Sequence, residues 1–264
     1  MKAIDIKNCI NDHFPEKLAC EWDNVGLLVG RGDKEVKKIL VTLDVDQNVA
    51  EEAIKLGCDV IVSHHPVIFH KLRSVTDSDP IGKMIMTLLK NDITVVSAHT
   101  NLDKAKSGLN DFLAQKLGIG NCSVLENDED SVHGFGRIGE LSEEMSFGEF
   151  MKNCASVLGA SGLRYTGDED RPVKKIAVNS GGGSDALYEA VKKGADVFVT
   201  GDVKYNPFRD AAELGTALID AGHYETEFIV TELFSELLKK EIPDAEIFVS
   251  ETNTSTIKYF KNQE

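Results

Sequence analysis

At 264 residues, the chain has room for one large α/β unit or two lobes of about 100 to 150 residues each. Its 42% of hydrophobic and 28% of charged residues are interspersed as in a folded protein, which excludes a disordered one. The formal charge of −15, from 29 basic and 44 acidic side chains, argues against a nucleic-acid partner, because such binding depends on Lys and Arg displacing counterions.

Apolar spacing predicts a helix over 4–13, ended by Pro15. After the turn region EWDNVGLLVG, residues 38–43 read as a buried strand, 47–56 as a helix closed by Gly57, and 59–63 as a second strand. Together they make a parallel βαβ unit covered on both faces. A helix over 80–90, a strand over 93–97 and a helix over 108–117 continue the alternation. The acidic stretch 126–130 reads as a solvated connector and marks the expected boundary, with 1–125 plus 228–264 forming lobe one and 131–227 lobe two. Beyond it come a strand at FGRIGEL, a helix over 146–158 and a strand over 175–179 running into SGGGSD. A helix over 185–193, a strand over 197–200, a helix over 209–214 and a strand over 216–220 follow. DAGHYETE then opens a long amphipathic helix reaching Lys240, and 245–260 are expected to close the fold with a strand and an exposed tail. The fold class expected is α/β, in two lobes, each a mixed or parallel sheet flanked by helices.

No apolar run reaches the 18 or so residues that span a bilayer, and the N-terminus lacks an apolar signal segment, so a cytoplasmic protein without a membrane partner is expected. The five cysteines are scattered and never form C-x-x-C. They read as small hydrophobes rather than as a disulfide framework or a structural zinc site.

Chemistry concentrates at three places. In VIVSHHPVIF a buried strand delivers His64 and His65 at its C-terminal edge, where open parallel sheets gather ligands, and Pro66 holds His65 extended. Two loop histidines can equally cap a turn. The next strand, ITVVSAHTNLD, brings His99 and Asp103 to the same rim if the two strands are neighbours. Imidazole beside carboxylate suits zinc, iron or manganese better than magnesium or calcium. In DAGHYETE, His223 and Glu227 stand four apart, on one face of a helix start; the helix dipole alone would account for an acidic residue there, Glu225 better than Glu227. His99 and Glu225 are candidates for proton transfer, His99 alternatively as a partner to the ligands. NSGGGSDALYEA could cradle a phosphate at a helix N-terminus or simply form a tight turn. Packing is the expected role of Trp22, and a turn or site wall that of Asn24.

WDNVGLLVG, SHHPVIF, SAHTNLD, GFGRIGEL, TGDVKY and DAGHYETE, in this order along nearly the whole chain, resemble the NGG-interacting-factor-three-like family, also named GTP cyclohydrolase I type 2 homologues. The resemblance implies a two-lobed α/β subunit with a dinuclear metal site between the lobes. The family's ligand pattern falls on His64, His65, Asp103, His223 and Glu227, with two divalent ions of zinc, iron or manganese. It also implies a toroidal homohexamer. Some relatives carry an inserted middle domain for which the connector here leaves no room, and many have histidine where this chain has Asn206. The activity implied is metal-dependent hydrolysis of a nucleotide or related heterocycle, of the GTP cyclohydrolase type, with SGGGSD or Lys204 available to a triphosphate. The alternative is a non-enzymatic metal-handling, metal-delivery or protein-interaction factor.

Overall fold

The computed structural model describes residues 1–128 and 132–260. Residue contacts divide the chain into two units, 1–105 with 230–254 and 106–229 with 255–264.

The first unit contains helix α1 (Ala3–His13), strands β1 (Gly26–Val29) and β2 (Lys38–Thr42), α2 (Gln47–Leu56), β3 (Val60–Ser63), α3 (Pro80–Lys90), β4 (Thr94–Ser97) and the short α4 (Thr100–Lys104). The second unit contains α5 (Leu109–Lys116), β5 (Ile119–Asn127), β6 (Gly134–Ser146), α6 (Phe147–Leu158), β7 (Arg164–Thr166), β8 (Pro172–Val178), α7 (Leu187–Lys192), β9 (Val197–Thr200), α8 (Tyr205–Leu214), β10 (Ala217–Asp220) and α9 (His223–Glu227). The chain then returns to the first unit with α10 (Val230–Glu241) and β11 (Glu246–Val249).

In the first unit the strand order is β1-β4-β3-β2-β11, with β4, β3, β2 and β11 parallel and β1 antiparallel at the edge. All four residues of β3 and of β4 are buried, as a parallel sheet covered on both faces requires. Fully burying Val60, Ile61 and Val62 stabilises by roughly 1.5–3 kcal/mol per side chain. Helix ends follow local rules. Asp46 caps α2 by accepting the Val49 N–H at 2.9 Å, and Asp79 caps α3 through Gly82 at 2.8 Å with Pro80 next in the chain.

The second sheet has the order β5-β6-β8-β9-β10-β7, parallel across β8-β9-β10 and antiparallel elsewhere. Its strands alternate between two cores. Val197, Val199, Ala217 and Ile219 join Phe147, Phe150 and Cys154 of α6 on one face, while Phe198 and Leu218 join Leu187, Ala190 and Ala211 of α7 and α8 on the other. Arg137 of β6, 2% exposed, donates through Nε to Asp111 of α5 at 2.7 Å. That pair, with the β5–β6 ladder, fastens 109–127 to the second sheet, so the passage between units falls at 105/106. Glu129 and Asp130 of the acidic connector, and residue 131 where lobe two was expected to begin, lie outside the described residues.

The α/β expectation holds, with two mixed sheets flanked by helices. Several elements differ from the sequence reading. β1, β5 and β7 were not expected. Helix α8 begins at Tyr205 rather than Arg209, because Pro207 sits in the first turn, where a missing N–H costs nothing. The helix after DAGHYETE is two helices, α9 and α10, separated at 228–229. Cys58 and Cys154 are buried, but Cys9 and Cys20 are only partly so and Cys122 is exposed. No helix among the described residues is long and apolar enough to cross a membrane.

Candidate metal centre

In the first unit β3 and β4 are direct parallel neighbours with Ser63 opposite Ser97, whose hydroxyls lie 2.8 Å apart. The residues immediately beyond the two strands therefore share one rim. His64 and His65 leave β3, His99 leaves β4, and their ring centroids lie 5.1–5.5 Å apart. Each of the three offers a ring nitrogen within 4.8 Å of the others, a spacing that could hold a metal ion. Asp103, 7% exposed on α4, places Oδ1 3.6 Å from His64 Nε2.

Each imidazole is oriented through Nδ1. His64, fully buried, is 2.8 Å from the Ala98 carbonyl, which can only accept, so Nδ1 carries a proton and Nε2 is the ring nitrogen that could meet a metal ion. His65 Nδ1 lies 2.7 Å from Asp44 Oδ1, and His99 Nδ1 lies 2.9 Å from Asp23 Oδ1. Burial alone would raise the Asp23 carboxyl. Hydrogen bonds from His99, Thr100 and the Asn24 N–H outweigh it and hold Asp23 at about 2. Asp23 is thus ionised at neutral pH and accepts the His99 proton.

In the second unit α9 carries His223 at its start and Glu227 one turn later, with Nε2 and Oε2 3.0 Å apart. His223 Nδ1 is 2.8 Å from Asp202 Oδ2. Glu227 is only 4% exposed. The glycine run after β8 packs directly on these two side chains. Gly181 has φ +62°, and a Cβ there would lie 2.1 Å from Glu227 Oε1 and 3.1 Å from His223 Nε2. Its N–H donates to Thr226 Oγ1 at 3.0 Å. The sequence readings of SGGGSD as a phosphate cradle or a tight turn thus gain a third: its glycine leaves the room that His223 and Glu227 occupy. Glu225 turns back onto the helix start, its Oε2 2.0 Å from where a Gly222 Cβ would be, and Asn206 and Lys204 are exposed.

All four histidines share one device: an acceptor fixes Nδ1 and Nε2 is presented. That is how metal-binding histidines are usually held. Imidazole nitrogens with nearby buried carboxylates form the mixed donor set that zinc, iron and manganese accept; His64, His65 and His99 of the first unit are spaced to hold a divalent ion, and His223 and Glu227 of the second are donors of the same kinds. Sequence reasoning missed Asp44 and Asp23 as partners, and in TGDVKY Asp202 could equally face the site or close a turn. The only sequence signal was an acidic residue two or three places from the end of a strand, too common to single out.

The model of the Duf34/NIF3 (NGG1p interacting factor 3) family matches residues 1–256. The chain belongs to that family. A Clostridium perfringens relative named GTP cyclohydrolase 1 type 2 homolog is 41% identical, over 95% of this chain and 96% of its own length. Among solved structures, a hypothetical protein of Staphylococcus aureus superimposes with a TM-score of 0.91 at 31% identity, covering 98% of this chain and 99% of that one. Reduced HcgD from Methanocaldococcus jannaschii gives a TM-score of 0.80 at 35% identity, over 95% and 98% of the two chains. The family accounts for the mixed sheets flanked by helices.

Proposed function

We propose that His64, His65, Asp103, His223 and Glu227 hold two divalent ions, zinc, iron or manganese, and that the protein is a metal-dependent hydrolase acting on a nucleotide or related heterocycle. The observation that carries this reading is the shared orientation of His64, His65 and His223, each anchored at Nδ1 with Nε2 presented. Ions held there would acidify a bound water to a pKa of about 7 and polarise a substrate oxygen or ring carbon. The chain's own groups supply the rest. Asp44 and Asp202 keep the rings in register, and His99, held by Asp23, offers Nε2 for proton transfer to or from a heterocycle nitrogen. The name of the Clostridium perfringens relative supports a guanine nucleotide as the first substrate to test.

The second reading is a metal-handling factor without turnover. The charge of −15 favours it, because the chain as a whole repels a triphosphate.

Elemental analysis of protein purified without chelator, for wild type, His64→Ala and Glu227→Gln, followed by GTP turnover on the same samples, tests both. About two metals per chain, lost in both variants, with GTP consumed by wild type alone, supports the hydrolase. Bound metal without turnover favours the handling factor, and wild type without metal rejects the site.

A further inference from the structure

The packing role expected for Trp22 does not hold: this single tryptophan of the chain is 61% exposed. Phe69, 42% exposed, meets it edge-to-face with centroids 5.9 Å apart at 66°. Both rings also abut His99 edge-on, at 6.2 Å and 6.1 Å. His99 in turn touches His64 and His65, so an exposed aromatic corner is continuous with the imidazole cluster of the first unit.

The corner is built rather than incidental. Asn24 Nδ2 donates to the Ile68 carbonyl at 2.6 Å, tying the residues next to Trp22 to those next to Phe69. Asp23, its side chain fully buried, accepts from His99 Nδ1 and from the Thr100 N–H at 3.0 Å, which ties the same segment to the end of β4. Three consecutive residues, Trp22, Asp23 and Asn24, thus provide one aromatic face and two anchors.

We propose that Trp22 and Phe69 form the wall on which a planar nitrogen heterocycle of the purine nucleobase class stacks, beside the Nε2 edge of His99. This rests on the nucleotide reading above and names where the base would lie. Two rings held at a steep angle give a flat ligand a face on one and an edge on the other. Stacking of this kind accepts any base, and His99 Nε2 adds a polar partner for a ring nitrogen or exocyclic oxygen. A fixed aromatic corner with a polar group converging on it has the composition of a small-molecule site.

With one tryptophan in the chain, its emission reports on this wall directly. Metal-loaded wild type and Phe69→Ala are titrated with guanosine 5′-monophosphate and, as a base-free control, ribose 5-phosphate, with metal content measured on the same samples. Phe69 is exposed, so folding is not at stake in the variant. The expected result is saturable quenching by the nucleotide alone, weakened about tenfold or more in Phe69→Ala at unchanged metal content. Three results overturn the proposal: no saturable quenching in protein that holds its metal, the same midpoint in the variant, or emission that responds only to dilution as the chain dissociates from a second copy. Quenching is read whether or not GTP is consumed, so base binding without turnover upholds the wall while the hydrolase reading falls.

Discussion

The first unit presents its imidazoles from the ends of two hydrogen-bonded strands, whereas the second presents His223 and Glu227 from a five-residue helix. The supports differ accordingly. His64 is fully buried against a main-chain carbonyl and His99 leans on a buried carboxylate, while the His223 side chain is 35% exposed and its partner Asp202 58% exposed. Strand ends need only sheet pairing to set two histidines in register. A helix start needs space made for it, and here a glycine makes that space.

The sharpest way to break this contrast is Gly181→Ala. The added methyl meets Glu227 Oε1 at 2.1 Å on a backbone of φ +62°, so either Glu227 moves or the loop does, at a cost of about 2–4 kcal/mol. Gly182→Ala is the matched control, because its Cβ would find nothing nearer than 3.9 Å and no positive φ applies. Urea unfolding and metal content of the two variants decide the matter. Loss of both stability and metal in Gly181→Ala alone is expected, and equal behaviour of the two would remove the space-making role assigned to Gly181.

The next effect compares the exposed anchors, Asp44 in the first unit and Asp202 in the second. Both side chains are about half exposed, so neither contributes much to stability. Their value lies in fixing a ring. Asp44→Asn and Asp202→Asn should each weaken metal binding by about 10- to 100-fold with little change in thermal midpoint. Competition with a chelator measures the first quantity and a melting curve the second; a fall in midpoint with affinity intact would make these carboxylates structural.

What could be read in the sequence follows the same divide. Ser63-His64-His65 was legible because the buried strand Val60–Ser63, apolar up to its last residue, announced itself and the histidines followed it without a gap, and the pairing of β3 with β4 placed His99 on the same rim. Glu227 was legible from its spacing to His223. Asp44 and Asp202 were not, since each lies 21 residues from the histidine it holds and only the tertiary fold joins them. Strand β1, four residues ending next to Gly30, and strand β5, with only Ile119, Val124 and Leu125 buried among nine, carry too little alternation to show above a loop. Trp22 misled for a different reason: a lone tryptophan is usually packed, and nothing in EWDNVGLL says that its neighbours, rather than its own ring, do the anchoring.

The smallest effect belongs to Asp23, and its sign can be worked out. Its carboxyl sits at about 2 in the fold against an ordinary 3.8, because His99 and Thr100 donate to the ionised form strongly enough to override burial. A lowered carboxyl contributes stability that is fully present above about pH 4 and lost as pH falls towards 2. The shift corresponds to about 2 kcal/mol at neutral pH. Asp23→Asn keeps the shape but cannot ionise, so it should be less stable than wild type at pH 7 by about that amount. The difference between the two unfolding curves should close as pH is lowered from 4 to 2. Urea titrations of the two proteins at pH 7, 4 and 2.5 follow that difference. A gap between wild type and Asp23→Asn that stays constant across that range would mean Asp23 holds its loop by shape rather than by charge, and the link from Trp22 to His99 would then rest on the Asn24–Ile68 bond and ring packing alone.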